Sequence, residues 1–152
     1  MATYKGKNPL SQAMKEDARG VVKQFVGIMK AIGNIAVNEA KTNFKRQGFM
    51  DRSVKPWDAR KRKDKNPKIR AILVKSGALR RSIRRLSVSN KRVTIGSKGK
   101  AAVYAGVHNY GLKSGRKSAP FIMPKRQFLG PSHATDKRIV NLIKKKIKKG
   151  FK

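Results

Sequence analysis

The chain has 152 residues, enough for one domain with a real core, and its 38% hydrophobic share makes that core a modest one. Lys and Arg number 40 against 7 Asp and Glu, and the resulting net charge of +33 opposes compaction and calls for a polyanionic or acidic partner. The absence of cysteine excludes a disulfide framework, a thiolate nucleophile and cysteine-bound zinc. No consecutive apolar run approaches a membrane span and no signal-peptide core opens the chain, so a soluble, intracellular protein without a membrane partner is expected.

Residues 1–9 read as a basic arm, and residues 10–152 as one domain. From Leu10 to Phe44, apolar residues recur at steps of three and four (Met14, Ala18, Val21, Val22, Phe25, Met29, Ile32, Ala36, Ala40), which predicts a long helix over 10–47 that stops at Gly48. Such a helix measures roughly 55 Å, so it must project, bend or pack on neighbours. Gly20 and Gly27 lie away from the apolar stripe, and Gly33-Asn34 follows them. They read either as weak points with a bend near Gly33 or as a thin face for a second chain.

Residues 48–68 read as a basic loop anchored by the single tryptophan, Trp57. Its run of Arg60, Lys61, Arg62, Lys63 and Lys65 is either a solvated surface or a phosphate-facing loop. Over 69–130 a short helix is expected first, with Ile72, Leu73, Leu79 and Ile83 inward and Ser76 as its cap. Alternation through Ile83, Leu86 and Val88, then Val93 and Ile95, predicts a β-hairpin turning at Ser89-Asn90. A basic turn with Lys98 and Lys100 leads to a predicted third strand at 101–104, and a fourth at 119–123 is placed at an edge by its prolines. A final helix over 132–149, capped by Ser132 or Thr135, buries Ile139, Leu142, Ile143 and Ile147 and turns Lys144, Lys145 and Lys148 outward.

Catalytic chemistry has little to work with. The seven acids are scattered, and no two-histidine metal motif or phosphate-cradling glycine loop occurs. His108 lies among Val107, Asn109 and Tyr110 and reads as a packed histidine. A protein without catalytic residues, metal, cofactor or small-molecule substrate is expected.

Four stretches carry a resemblance. Trp57 follows the first helix in a basic loop. Ile72-Leu73-Val74-Lys75-Ser76-Gly77-Ala78-Leu79-Arg80-Arg81-Ser82-Ile83 is similar to an L-x-x-[ST]-G-x-L-x-x-S-I pattern. Tyr104-Ala105-Gly106-Val107-His108-Asn109-Tyr110-Gly111 is similar to Y-A-x-x-H-x-[FY]-G. Pro124-Lys125-Arg126-Gln127-Phe128-Leu129-Gly130, followed by Ser132, is similar to P-x-R-x-F-L-G-x-S. In order and spacing the four resemble the phage virion morphogenesis (tail completion) family of tailed bacteriophages and Mu-like prophages. Lys125 and Gln127 stand where that family more often has a small residue and a proline.

The resemblance implies an α+β fold in which a long N-terminal helix and a C-terminal helix pack on a small antiparallel sheet. It also implies a structural protein of the virion tail or neck, assembled in the host cytoplasm. Copies of the chain would form a ring homo-oligomer that meets neighbouring tail or neck proteins. The structural and assembly residues carried over are Trp57, Gly77, Leu79, Tyr104, His108, Tyr110, Gly111, Pro124, Arg126, Phe128, Leu129 and Gly130. The charge adds a physical role, since a basic lining would hold packaged double-stranded DNA by its phosphates without reading bases. Candidate contacts to phosphate or to an acidic partner are Arg60, Lys61, Arg62, Lys63, Lys65, Lys98, Lys100, Lys144, Lys145 and Lys148. The competing reading is a sequence-nonspecific nucleic-acid binder of ribosomal or chromatin type.

Overall fold

The computed structural model describes residues 9–60 and 71–150. The fold is α+β, with a long first helix and a terminal helix as expected. Among the described residues the strands form three two-stranded antiparallel ribbons rather than one sheet.

Helix α1 runs continuously over Pro9–Arg46, without a break in the helix at Gly33. Gly33 is instead a contact. A Cβ there would stand 2.6 Å from Arg85 Cδ and 2.8 Å from Val93 Cγ2, so the missing side chain lets a β-hairpin lie directly on the helix. The expected apolar stripe divides at this point. Beyond Gly33, Val37, Ala40 and Phe44 are buried, whereas Val21, Val22 and Phe25 before it are about half exposed. Charged and amide residues, Lys23, Lys30 and Asn34 among them, keep every consecutive apolar run in this helix short. By averaged hydropathy, Ala18–Arg46 contains an 18-residue window of mean hydropathy 1.3, apolar and long enough to cross a membrane by length and composition alone.

The helix ends one residue earlier than expected. Gln47 takes the left-handed conformation (φ 54°), and its side chain bonds the carbonyl of Phe44 and both backbone groups of Ile72. The expected loop that follows holds a ribbon of β1 (Gly48–Met50) and β2 (Val54–Pro56). Helix α2 (Ala78–Ser82) begins at Gly77, and the Ser76 hydroxyl accepts from the Ala78 N–H at 3.3 Å from one residue outside the cap position. The expected hairpin is β3 (Ile83–Val88) with β4 (Val93–Ser97). The Ser89 hydroxyl closes its turn by accepting the Arg92 N–H at 3.0 Å. An irregularity between Arg85 and Ser87 shifts the register, and Leu86, expected inward, is 47% exposed.

The third strand expected at 101–104 is helical. A short 3-10 turn, Gly99–Ala101, leads into helix α3 (Ala102–Tyr110), which Gly111 ends at φ 72°. A Cβ at Gly111 would also meet Lys125 Cβ at 3.0 Å, so both conformation and space favour glycine. Alternation cannot be judged over four apolar residues, and the next turn of the helix buries Ala105 and Asn109 on one face. The expected fourth strand is β6 (Ala119–Ile122), and its partner is the unexpected β5 (Lys113–Arg116). Helix α4 (His133–Gly150) is capped by Ser132, whose hydroxyl accepts the Thr135 N–H at 3.1 Å. Its expected stripe is only half-buried, and Ile147 is 50% exposed.

The core collects on the C-terminal half of α1. Phe44 packs edge-on to Trp57, with centroids 5.5 Å apart, and tilted against Phe128 at 5.0 Å. Leu79, Ile83, Ala101 and Ala105 close the cluster.

Candidate assembly site

The motif stretches converge on the segment from Pro124 to Gly130, which has no regular secondary structure and therefore needs partners for its backbone. Two buried asparagines supply them. Asn109, on α3, accepts the N–H of Phe128 (2.9 Å) and of Leu129 (3.0 Å) and donates to the Leu129 carbonyl (2.9 Å). Asn43, on α1, donates to the Phe128 carbonyl (3.2 Å) and accepts the Met50 N–H (3.1 Å). Trp57 Nε1 donates to the Gln127 carbonyl at 2.8 Å, so the tryptophan is the anchor expected from its burial. Neither asparagine stood out in the sequence, because an isolated Asn inside a helical pattern carries no spacing signal. The usable signal is its cost: Asn is a weak helix former, retained here for its paired donor and acceptor.

Arg126 is buried and spans the site. Its guanidinium donates to the Asp58 carbonyl at 3.3 and 3.2 Å, and its N–H donates to the His108 carbonyl at 2.8 Å. Burial lowers its pKa, the Asp58 charge partly offsets this, and Arg60 adds to the lowering. His108 sits beside it with Nδ1 buried and without a hydrogen-bond partner among the described residues, and its ring meets Tyr104 edge-on at 6.0 Å. Burial first, and the Arg126 charge second, lower the His108 pKa and favour the neutral ring.

Two of the acids act as fasteners. Buried Glu39, on α1, receives the guanidinium groups of Arg46 and Arg138, tying α1 to α4. Asp51 accepts the His133 N–H at 2.9 Å, and its carbonyl accepts the Ala134 N–H at 3.2 Å, which seats the start of α4. The His133 hydrogen bond is the chief cause that lowers the Asp51 pKa. Among the described residues no group of acids, histidines or cysteines could hold a metal ion.

The family-motif residues thus fall into two sets. Trp57, Gly77, Leu79, Arg126 and Phe128 are buried, and His108, Gly111, Pro124 and Leu129 are half-buried around them. Tyr104, Tyr110 and Gly130 are exposed, with Tyr110 at 66%. The basic candidates that are described lie on separate elements. Lys144, Lys145 and Lys148 share the exposed face of α4, where with Asn141 and Lys149 they line an open depression of about 720 Å³. Lys98 and Lys100 are exposed together before α3. Arg60 donates to the Ala71 carbonyl at 2.9 Å, while Lys61, Arg62, Lys63 and Lys65 lie outside the described residues.

No curated protein and no solved structure matches the chain. Compared with protein families, residues 7–148 match the phage virion morphogenesis family, a span that takes in α1, the segment gripped by Asn43 and Asn109, and most of α4. The chain therefore belongs to the phage virion morphogenesis family.

Proposed function

We propose that the protein is a non-catalytic structural subunit that completes the phage tail or joins it to the head, acting as a ring of identical copies. The observation that carries this reading is apolar surface left open on two separate elements. One lies on α1, where Val21, Val22 and Phe25 are 51%, 45% and 50% exposed. The other is the β5–β6 ribbon, every residue of β6 being exposed, with Phe121 at 50% and Ile122 at 78%. Among the described residues neither strand of that ribbon pairs with a third, so its outer edges remain open to another chain. Two different sticky surfaces on one chain suit a head-to-tail contact, and such contacts close into rings when the rotation allows. Neighbouring tail or neck proteins would meet the remaining faces, and the basic surface would face packaged double-stranded DNA or an acidic neighbour. The site of action would be the virion tail or neck after assembly in the host cytoplasm.

The test is complementation of a phage lacking this gene with Ile122→Glu or Phe25→Glu. Both positions are exposed, so folding should be retained, while completed infectious particles should be lost. Wild-type particle yields from both folded variants would overturn the reading. A free nucleic-acid binder is the second reading, favoured by the exposed lysine face of α4. It requires strongly salt-dependent DNA binding by a monomer.

A further inference from the structure

The arginines of the described structure divide sharply by whether the fold uses them. Arg46 and Arg138 hold Glu39, Arg126 holds the Asp58 carbonyl, and Arg85 donates to the Lys30 carbonyl at 3.1 Å. Arg80 and Arg81, on α2, have no such side-chain partner among the described residues. They face an open depression of about 380 Å³ against α1, whose other walls are Asn38, Lys41, Thr42 and Lys45. Neither lysine has a partner among the described residues, and no carboxylate lines the depression. Room is kept for the cations as well: Arg81 Nη1 lies 2.8 Å from where a Cβ at Gly77 would stand, so any side chain there would displace the guanidinium.

We propose that this depression between α1 and α2 binds the phosphodiester backbone of duplex DNA. Four cations drawn together from two elements with no acid among them repel one another and need a dense anion. Duplex DNA carries one negative charge per about 1.7 Å of axis, which supplies that density. Two guanidinium groups offer planar forks to phosphate oxygens, two ammonium groups add point charges, and the exposed Asn38 amide adds a neutral donor. The lysines of α4 differ in kind, since they all project from one helix whose outer face is solvated. The inference deepens the DNA-facing part of the proposed function and rests on it, but not on ring formation.

The full chain, nuclease-treated, is titrated against a 20-base-pair duplex of mixed sequence by fluorescence anisotropy across a salt series. The variants are Arg80→Gln/Arg81→Gln, Lys41→Gln/Lys45→Gln and, as an equal-charge control, Lys144→Gln/Lys148→Gln. Each depression pair should weaken binding roughly tenfold at moderate salt and reduce the log–log salt slope by about 2, with a smaller change for the control. The lysine pair keeps the test usable should the α2 pair fail to fold. Equal losses in all three variants would reduce the site to net charge and overturn the proposal, as would unchanged binding. Poly-glutamate displacing the duplex at equal charge would overturn it in favour of an acidic protein partner. A wild-type chain that binds no duplex would remove the DNA-facing reading as well, whereas wild-type binding with unaffected depression variants would remove only this site.

Discussion

Replacing Asn109 by alanine removes one side chain and strands three backbone groups. The N–H groups of Phe128 and Leu129 lose their shared acceptor, and the Leu129 carbonyl loses its donor. Phe128 and Asn109 are 2% and 4% exposed, so water reaches the vacated position poorly. Each buried donor left unsatisfied costs about 1–3 kcal/mol, and Leu129 is only half-buried, so a combined loss of about 2–4 kcal/mol is expected. Against a total stability of about 5–15 kcal/mol this is a large fraction. Urea unfolding followed by circular dichroism at fixed salt reads it directly. With a slope of about 2 kcal/mol per molar urea, the midpoint should fall by about 1–2 M. Asn38→Ala, on the exposed face of α1, should shift it by no more than about 0.25 M. An Asn109→Ala midpoint as close to wild type as that of Asn38→Ala would refute the claim that this side chain holds the motif segment in place.

Glu39→Ala should destabilise the protein by about 3–5 kcal/mol, because Arg46 and Arg138 are left facing each other without their shared carboxylate; thermal melting checks this. Gly33→Val should cost about 1–3 kcal/mol by forcing the β3–β4 hairpin off α1, and chemical denaturation of the variant measures it. Gly20→Ala and Gly27→Ala meet nothing within 4 Å and should raise stability by up to about 1 kcal/mol each, unless a neighbouring copy packs there, in which case assembly weakens while the melting temperature holds. His108 is held neutral, so the folded chain takes up its proton at a lower pH than the unfolded chain does. Its contribution is therefore present above the ordinary value of 6.5 and lost as pH falls below it, and His108→Leu should flatten the drop in urea midpoint between pH 7 and pH 5.

Long-period features were the most legible in the sequence. The 3.6-residue period of α1 and α4 and the alternation on either side of Ser89-Asn90 each extend over enough residues to identify an element. Short features were not. The run Ala-Ala-Val-Tyr fits the start of a strand or of a helix equally well, and only the burial of Ala105 and Asn109 a turn later distinguishes them. Strand β5, Lys-Ser-Gly-Arg, has no apolar residue and exists through its pairing with β6. Burial is not a property of one chain segment at all. Val21, Val22 and Phe25 continue the pattern of Val37 and Phe44 without interruption, yet only the second group has something to pack against. At the candidate site the sequence pointed to the aromatic and glycine positions and passed over Asn43 and Asn109. Hydrogen bonds spanning 85 and 20 residues leave no local pattern.

Association of copies of this chain through their own surfaces is what separates a ring subunit from a free nucleic-acid binder. Absolute mass by light scattering, on nuclease-treated protein in high salt, addresses that most directly. High salt screens the mutual repulsion of +33 chains and strengthens apolar contact, so a discrete oligomer that persists without nucleic acid is the expected result. Glutamate at Phe25 or Ile122 should reduce that mass to the monomer. A wild-type monomer that associates only when DNA is returned would contradict the account and make nucleic acid, rather than the protein's own exposed apolar faces, the agent of assembly.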